Sequence, residues 1–119
     1  MTNPEQSTLG QRVTAQAAGV HGCEAAAIIT TRTLNGRLID RLTPFIADHP
    51  AEGLAWVDWA AVLDAGGWSG GEHRLIGIAA SLAGGHRVDL SDVLQLDPGN
   101  AEIVLTALAH CLGIQEGCR

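Results

Sequence analysis

Paired glycines and capping residues divide the second half of this 119-residue chain into short apolar stretches. Ser69 and Glu72 form an S-x-x-E capping box, in which each side chain accepts a hydrogen bond from the other residue's backbone N–H. An apolar run at helical spacing follows, and Gly84-Gly85 ends it. Asp97 and Pro98 place a cap and a first-turn proline ahead of the last apolar run. This pattern of caps, apolar runs and glycine stops predicts short helices joined by brief connections.

The first half of the chain adds a polar start and two further helical stretches. Residues 1–20 are mostly small or polar and predict a flexible or weakly helical N-terminal arm. Glu24 opens an alanine-rich stretch, where an acid suits the first turn of a helix. Asn35-Gly36 interrupts this stretch, and apolar residues from Leu38 onward again recur at helical spacing. Because Asn-Gly also favours tight hairpin turns, a hairpin strand is the alternative for the threonines before it.

These stretches predict an all-α fold, a compact orthogonal bundle of about five short helices. Residues 21–114 are expected to form a single helical domain, with the arm before it and a C-terminal tail, 115–119, after it. The predicted core is drawn from the apolar positions of each stretch: Ile28, Ile29, Leu38, Ile39, Leu42, Ile46, Trp59, Leu63, Leu75, Ile78, Leu82, Val104, Leu108 and Leu112.

Composition excludes several classes of protein. Apolar residues make up 46% of the chain, enough to bury a core, so wholesale disorder is not expected. No apolar run approaches the roughly 20 residues that span a bilayer, and the N-terminus lacks the order of a signal peptide. The chain has no lysine, which removes Schiff-base chemistry and the phosphate-binding lysine of a P-loop. We expect a cytoplasmic protein with no cofactor and no membrane association.

The charge of the chain is unevenly distributed. The net charge is −6, and residues 51–119 carry all of the excess, with nine acidic residues against three arginines. An acidic half repels phosphate backbones, so nucleic-acid binding through it is not expected, whereas a basic partner surface would suit it. The neutral half leaves open a DNA-associated helix-turn-helix regulator that uses Arg32, Arg37 and Arg41.

One motif resembles a catalytic one. Gly67 to Gly71 match G-x-S-x-G, and acids and then His110 follow in the order of an α/β-hydrolase triad. That motif works only where a strand delivers the serine to a strained turn above a large sheet, and this chain is too short for such a fold. We therefore interpret Ser69 as a helix cap.

Histidines and cysteines near both ends of the chain raise the alternative of a zinc-stabilised domain or a metal-dependent enzyme. The candidate ligands are His21, Cys23, His110, Cys111 and Cys118. Structural zinc sites favour pairs spaced as C-x₂₋₄-C or H-x₃₋₅-H, because neighbouring turns then direct both ligands at one ion. The pairs in this chain do not have that spacing, so no metal is the favoured prediction, and an odd number of cysteines indicates free thiols.

The tryptophans are the most informative positions. Trp56, Trp59 and Trp68 are crowded into a short stretch and are three of the four aromatic residues. They are either the large core residues of a domain built from small aliphatic side chains, or anchors of an interface, where tryptophan is enriched. Asp89 and Asp92 are further interaction candidates, although helix capping explains Asp89 equally well.

The stretch from about Trp56 to Gly113 resembles small actinobacterial and actinophage-type proteins, a family with no assigned activity. The segments that carry the resemblance are Ala55 to Trp59, Ser69 to Glu72, Ile78 to Gly85, Val88 to Leu90, Leu96-Asp97 and Asn100. The resemblance transfers no catalytic residue and is compatible with an accessory protein of a mobile element.

Two features lead to the functional prediction: the chain lacks a coherent catalytic set of residues, and its tryptophans cluster beside an acidic half. We predict a non-enzymatic, small acidic protein-interaction module, accessory or regulatory, that binds a protein partner or itself.

Overall fold

A computed structural model describes residues 7–114, which are mostly helical with a small two-stranded sheet. The helices are α1 Leu9–Ala17, α2 His21–Gly36, α3 Leu38–Leu42, α4 Trp59–Ala65, α5 Gly70–Gly84 and α6 Pro98–Cys111. The strands β1 Ile46–His49 and β2 Leu54–Val57 pair antiparallel. Short 3₁₀ turns occupy 43–45, 50–52 and 90–95.

The sheet corrects the prediction of an all-α fold, whose helical majority is confirmed. Pro44 lies in the turn after α3, where a helix cannot continue past it without losing a backbone hydrogen bond. The turn between the strands ends at Gly53, whose φ of 72° is left-handed and therefore favours glycine. Local backbone chemistry thus outweighs the helical spacing of the apolar residues around Ile46. The orthogonal arrangement of the helices stays a prediction.

Side-chain caps begin the helices where the sequence predicts them. The Ser69 hydroxyl accepts the Glu72 N–H at 3.2 Å, and Glu72 Oε1 accepts the Ser69 N–H at 2.9 Å. Asp58 caps α4, and Asp97 caps α6 just before Pro98. The predicted caps at Ser69 and Asp97 are confirmed, and Ser69 of the G-x-S-x-G motif opens a helix rather than following a strand.

The main core lies where α2 packs against α5 and α6. Its largest fully buried apolar side chains are Ile29, Leu38, Leu42, Val62, Leu75, Ile76 and Val104. Two residues predicted for the core are exposed instead. Leu63 is on the outer side of the short helix α4, and Leu112 follows the last residue of α6 and is 74% exposed.

Helix α1 lies in the segment that was predicted to be a flexible or weakly helical arm, and it packs on the domain. Val13 and Ala17 are buried against a second, smaller cluster formed by Ala27, Ile39 and Ala55. Arg12, also buried, makes a two-point ion pair with Asp48, with Nε–Oδ1 at 2.8 Å and Nη2–Oδ2 at 2.9 Å. The sequence indicates this helix only weakly, because α1 buries just one apolar residue in each turn. The predicted tail, 115–119, lies outside the described residues.

The Arg12–Asp48 pair predicts acid sensitivity. The hydrogen bond from Arg12 lowers the pKa of Asp48 below its ordinary value. A carboxylate with a lowered pKa in the folded state stabilises the fold above its unfolded pKa, and this contribution is lost as the pH falls. We expect the free energy of unfolding to decrease as the pH falls through and below about 4, and the Asp48→Asn variant to show a weaker decrease.

Urea unfolding across this pH range measures the effect. Asp40→Asn is the matched control, because Asp40 is exposed on α3 and its side chain has no ion pair within residues 7–114. Equal acid dependence in Asp48→Asn and in the unmodified chain would contradict the prediction.

The end of α2 is kinked at the predicted Asn-Gly interruption. Leu34 and Asn35 have φ values of 54° and 57°, which are left-handed and costly for leucine. The Leu34 N–H donates to Asn100 Oδ1 at 2.9 Å, and Asn100 Nδ2 donates to Asp97 Oδ2 at 2.8 Å. The interruption is confirmed, and helix rather than a hairpin strand precedes it.

Candidate functional site

The hairpin formed by β1 and β2 has one face toward α1 and one face away from it. The register pairs Asp48 with Ala55 and Ala47 with Trp56, and side chains alternate between the two faces. Ala55 is buried and Asp48 contacts Arg12, so their face lies against α1. Trp56 is therefore on the outer face, where 44% of it is exposed.

A histidine covers part of this outer tryptophan. The rings of His49 and Trp56 are stacked, with centroids 4.8 Å apart and an interplanar angle of 13°. His49 was not among the residues singled out in the sequence, because the hairpin that brings it to Trp56 was not predicted. The turn signal Pro50 to Gly53 between two alternating segments is the feature that could have identified the pair.

Two clefts meet at the tryptophans. The first, of about 460 Å³, lies among α1, α2 and β2, and no charged side chain of residues 7–114 lines it. The second, of about 660 Å³, lies beside the hairpin, the start of α4 and the end of α5, and among the described residues Asp58 is the only carboxylate that lines it. Trp56, Val57 and Trp59 line both clefts, and we call these three residues the tryptophan wall.

The three tryptophans have different environments. Trp68 is held from several sides: its Nε1–H donates to the Val62 carbonyl at 2.9 Å, and the Arg41 guanidinium is 5.5 Å from its ring centroid. Trp59 is half-buried and packs against the main core. Trp56 is the most exposed of the three. Only Trp56 therefore offers an indole that a partner could cover without displacing internal contacts.

The segment of the chain that contains the tryptophan wall is acidic. Residues 42–73 contain five carboxylates and no arginine. Two of them are neutralised, Asp48 by Arg12 and Glu72 by Arg41, the latter at 2.8 Å. The three others, Glu52, Asp58 and Asp64, are exposed and form no ion pair within residues 7–114.

Asp89 and Asp92 lie elsewhere, in the 3₁₀ turn 90–95 and its cap. Asp89 accepts the Ser91 N–H at 2.9 Å, which lowers the pKa of Asp89. The capping role of Asp89 is confirmed. Neither aspartate lines the two clefts that share the tryptophan wall.

The arginines proposed for DNA recognition are only partly free. Arg32 and Arg37 are exposed, but Arg41 is engaged by Glu72 and Trp68. The helix that would follow the turn, α3, has five residues, of which Leu38, Ile39 and Leu42 are buried. A recognition helix needs an exposed face that enters the major groove, and α3 offers little of one.

The structure brings two of the candidate metal ligands together. The rings of His21 and His110 are 6.1 Å apart, and His110 Nε2 is 2.9 Å from Glu24 Oε1. Of the remaining candidates, Cys23 and Cys111 are half-buried free thiols, and Cys118 lies outside the described residues. Within residues 7–114, no group of three or more histidine, cysteine or acidic side chains is placed to hold a metal ion.

Comparisons with protein families, curated proteins and solved structures find no match to this chain. The resemblance to actinobacterial and actinophage-type proteins stays a prediction. No helix among the described residues is long and apolar enough to cross a membrane.

Proposed function

We propose that this chain is a non-enzymatic, small acidic interaction module, an accessory or regulatory protein that acts in the cytoplasm and docks on another protein through its tryptophan wall. The observation that carries the proposal is Trp56. This residue is 44% exposed on the outer face of the hairpin and adjoins two clefts. Tryptophan in such a setting is the residue type that most often dominates the binding energy of an interface.

The side chains that the sequence offers for catalysis have structural partners, which supports the same proposal. Ser69 caps α5, Asp89 caps the 3₁₀ turn 90–95, Asp97 caps α6, and His110 contacts Glu24. The DNA-binding alternative has less support, because Arg41 would have to leave Glu72 and Trp68 to reach a phosphate.

The Trp56→Ser variant tests this proposal. We expect it to weaken association with the native partner by about tenfold or more, because the variant removes an anchor and leaves the fold intact. Native mass spectrometry of assemblies, combined with quantitative capture from an extract of the native host, measures the change.

The matched control is Leu63→Ser, which removes an exposed apolar side chain from α4. Circular dichroism checks that both variants fold. Unchanged association in Trp56→Ser, or an equal loss in Leu63→Ser, would refute the role of the tryptophan wall.

A further inference from the structure

We propose that the segment docking on the tryptophan wall is basic and carries an arginine next to an aliphatic side chain. This inference rests on the proposed function and specifies the chemistry of the partner. Charge, ring geometry and cleft lining each support one part of it.

Charge complementarity supports a basic partner. Asp58 lines the second cleft beside Trp56 and Trp59, and Glu52 lies in the turn that joins the two strands of the hairpin. Both carboxylates are exposed and have no ion pair within residues 7–114. A guanidinium held at this wall would therefore meet unneutralised negative charge, which steers and orients association.

The exposed indole supports an arginine in particular. His49 stacks on one face of the Trp56 ring, and Trp56 as a residue is 44% exposed and lines both clefts, which gives a cation a route to the indole. Guanidinium groups bind tryptophan faces through cation–π attraction within about 6 Å of the centroid.

The chain already contains the same arrangement within itself, around the exposed Arg41. Arg41 is 5.5 Å from the Trp68 centroid and makes a 2.8 Å ion pair with Glu72. A partner arginine placed over Trp56, with Asp58 or Glu52 beside it, would reproduce that combination of aromatic ring, guanidinium and carboxylate between two molecules.

The first cleft supports the aliphatic neighbour. Its wall consists mostly of small apolar side chains, with Val13, Ala17, Ala27 and Ala55 among them. Burying an apolar side chain there is favourable, whereas a charge would lose its hydration without gaining a partner.

A second copy of the chain is a poorer occupant than a basic partner. The chain carries a net charge of −6, and the carboxylates at the wall would face each other in a symmetric dimer. Like charges brought together across an interface oppose association.

The test uses short synthetic peptides that alternate leucine with arginine, with glutamine or with glutamate. Nitrogen–proton NMR spectra of the full chain follow the indole N–H signals. We expect the arginine peptide to shift the Trp56 signal and not that of Trp68, whose N–H is bonded internally to Val62. The glutamine and glutamate peptides should shift neither.

Paired charge variants separate the site from general attraction to an acidic protein. Glu52→Gln with Asp58→Asn removes one charge from the hairpin turn and one from the second cleft, and asparagine still caps α4. Asp40→Asn with Glu102→Gln removes two exposed charges from α3 and α6. We expect the first pair of substitutions to weaken binding of the arginine peptide by about fivefold, which is the effect of losing two exposed ion pairs. The second pair should leave the binding of this peptide unchanged.

The outcomes distinguish this inference from the proposed function. Equal binding of the glutamine peptide, an equal loss in the remote pair, or a homodimer that buries Trp56 would overturn the basic partner. If one of these outcomes occurs and capture of a native partner still depends on Trp56, the inference about a basic partner fails but the proposed function is retained. Both fail if no peptide shifts the Trp56 signal and Trp56→Ser retains every association.

Discussion

The Gly22→Ala variant is expected to lose about 3 kcal/mol of stability, although alanine is the better helix former. A Cβ atom on Gly22 would overlap the backbone carbonyl oxygen of Leu82, because the backbones of α2 and α5 are in close contact there. A backbone atom cannot rotate away as the end of a side chain can. The two helices would have to separate, which opens the main core between them.

Urea unfolding of Gly22→Ala and of a matched Gly71→Ala variant measures this effect. Apart from the chain neighbours of Gly71 and the backbone of its own helix, no atom of the described residues lies within 4 Å of a Cβ added at Gly71 in the first turn of α5. Gly71→Ala should therefore gain about 0.5–1 kcal/mol from the reduced backbone entropy of the unfolded chain. We expect the free energy of unfolding to decrease in Gly22→Ala and to increase in Gly71→Ala. A stabilised Gly22→Ala variant would refute the close contact between the helices.

The Asn100→Ala variant is expected to lose about 2 kcal/mol, because a buried hydrogen-bond donor loses its acceptor. Asn100 is 8% exposed, and its side-chain oxygen accepts the N–H of left-handed Leu34. The same amide also donates to Asp97 Oδ2 at the start of α6, so the substitution removes the link between the kink in α2 and α6 together with the hydrogen bond that orients the Asn100 side chain.

Hydrogen exchange gives this prediction a local readout. The Leu34 amide should exchange faster in Asn100→Ala by more than the loss of global stability explains. Glu102→Ala, an exposed change on the same helix, is the control and should alter neither the stability nor the Leu34 amide. An unchanged Leu34 amide in Asn100→Ala would show that the asparagine does not hold the kink.

Helix starts could be predicted because they depend on neighbours in the chain. Ser69 with Glu72 and Asp97 with Pro98 satisfy backbone groups within the same turn, so a few adjacent residues contain all the required information. The same holds for the interruption at Asn35-Gly36. The hairpin was missed because each strand has only four residues, too few for alternation to stand out beside the helical spacing around Ile46.

The features that only folding brought together join distant parts of the chain. Asp48 forms an ion pair with Arg12, and Asn100 accepts a hydrogen bond from the Leu34 N–H. The sequence around each of these residues does not specify which distant residue it will contact. The mostly polar sequence of α1 likewise did not indicate that one face of the helix is buried, because the surface that this face covers comes from α2 and the hairpin.

The candidate site divides in the same way. The sequence was sufficient to single out Trp56, Trp59 and Trp68 and to place them in an acidic region. It did not distinguish them, because exposure depends on what packs against each ring. Val62 and Arg41 hold Trp68, the core partly covers Trp59, and the hairpin turns Trp56 outward between two clefts. Local hydrogen bonding was thus encoded along the chain, whereas burial was a property of the assembled domain.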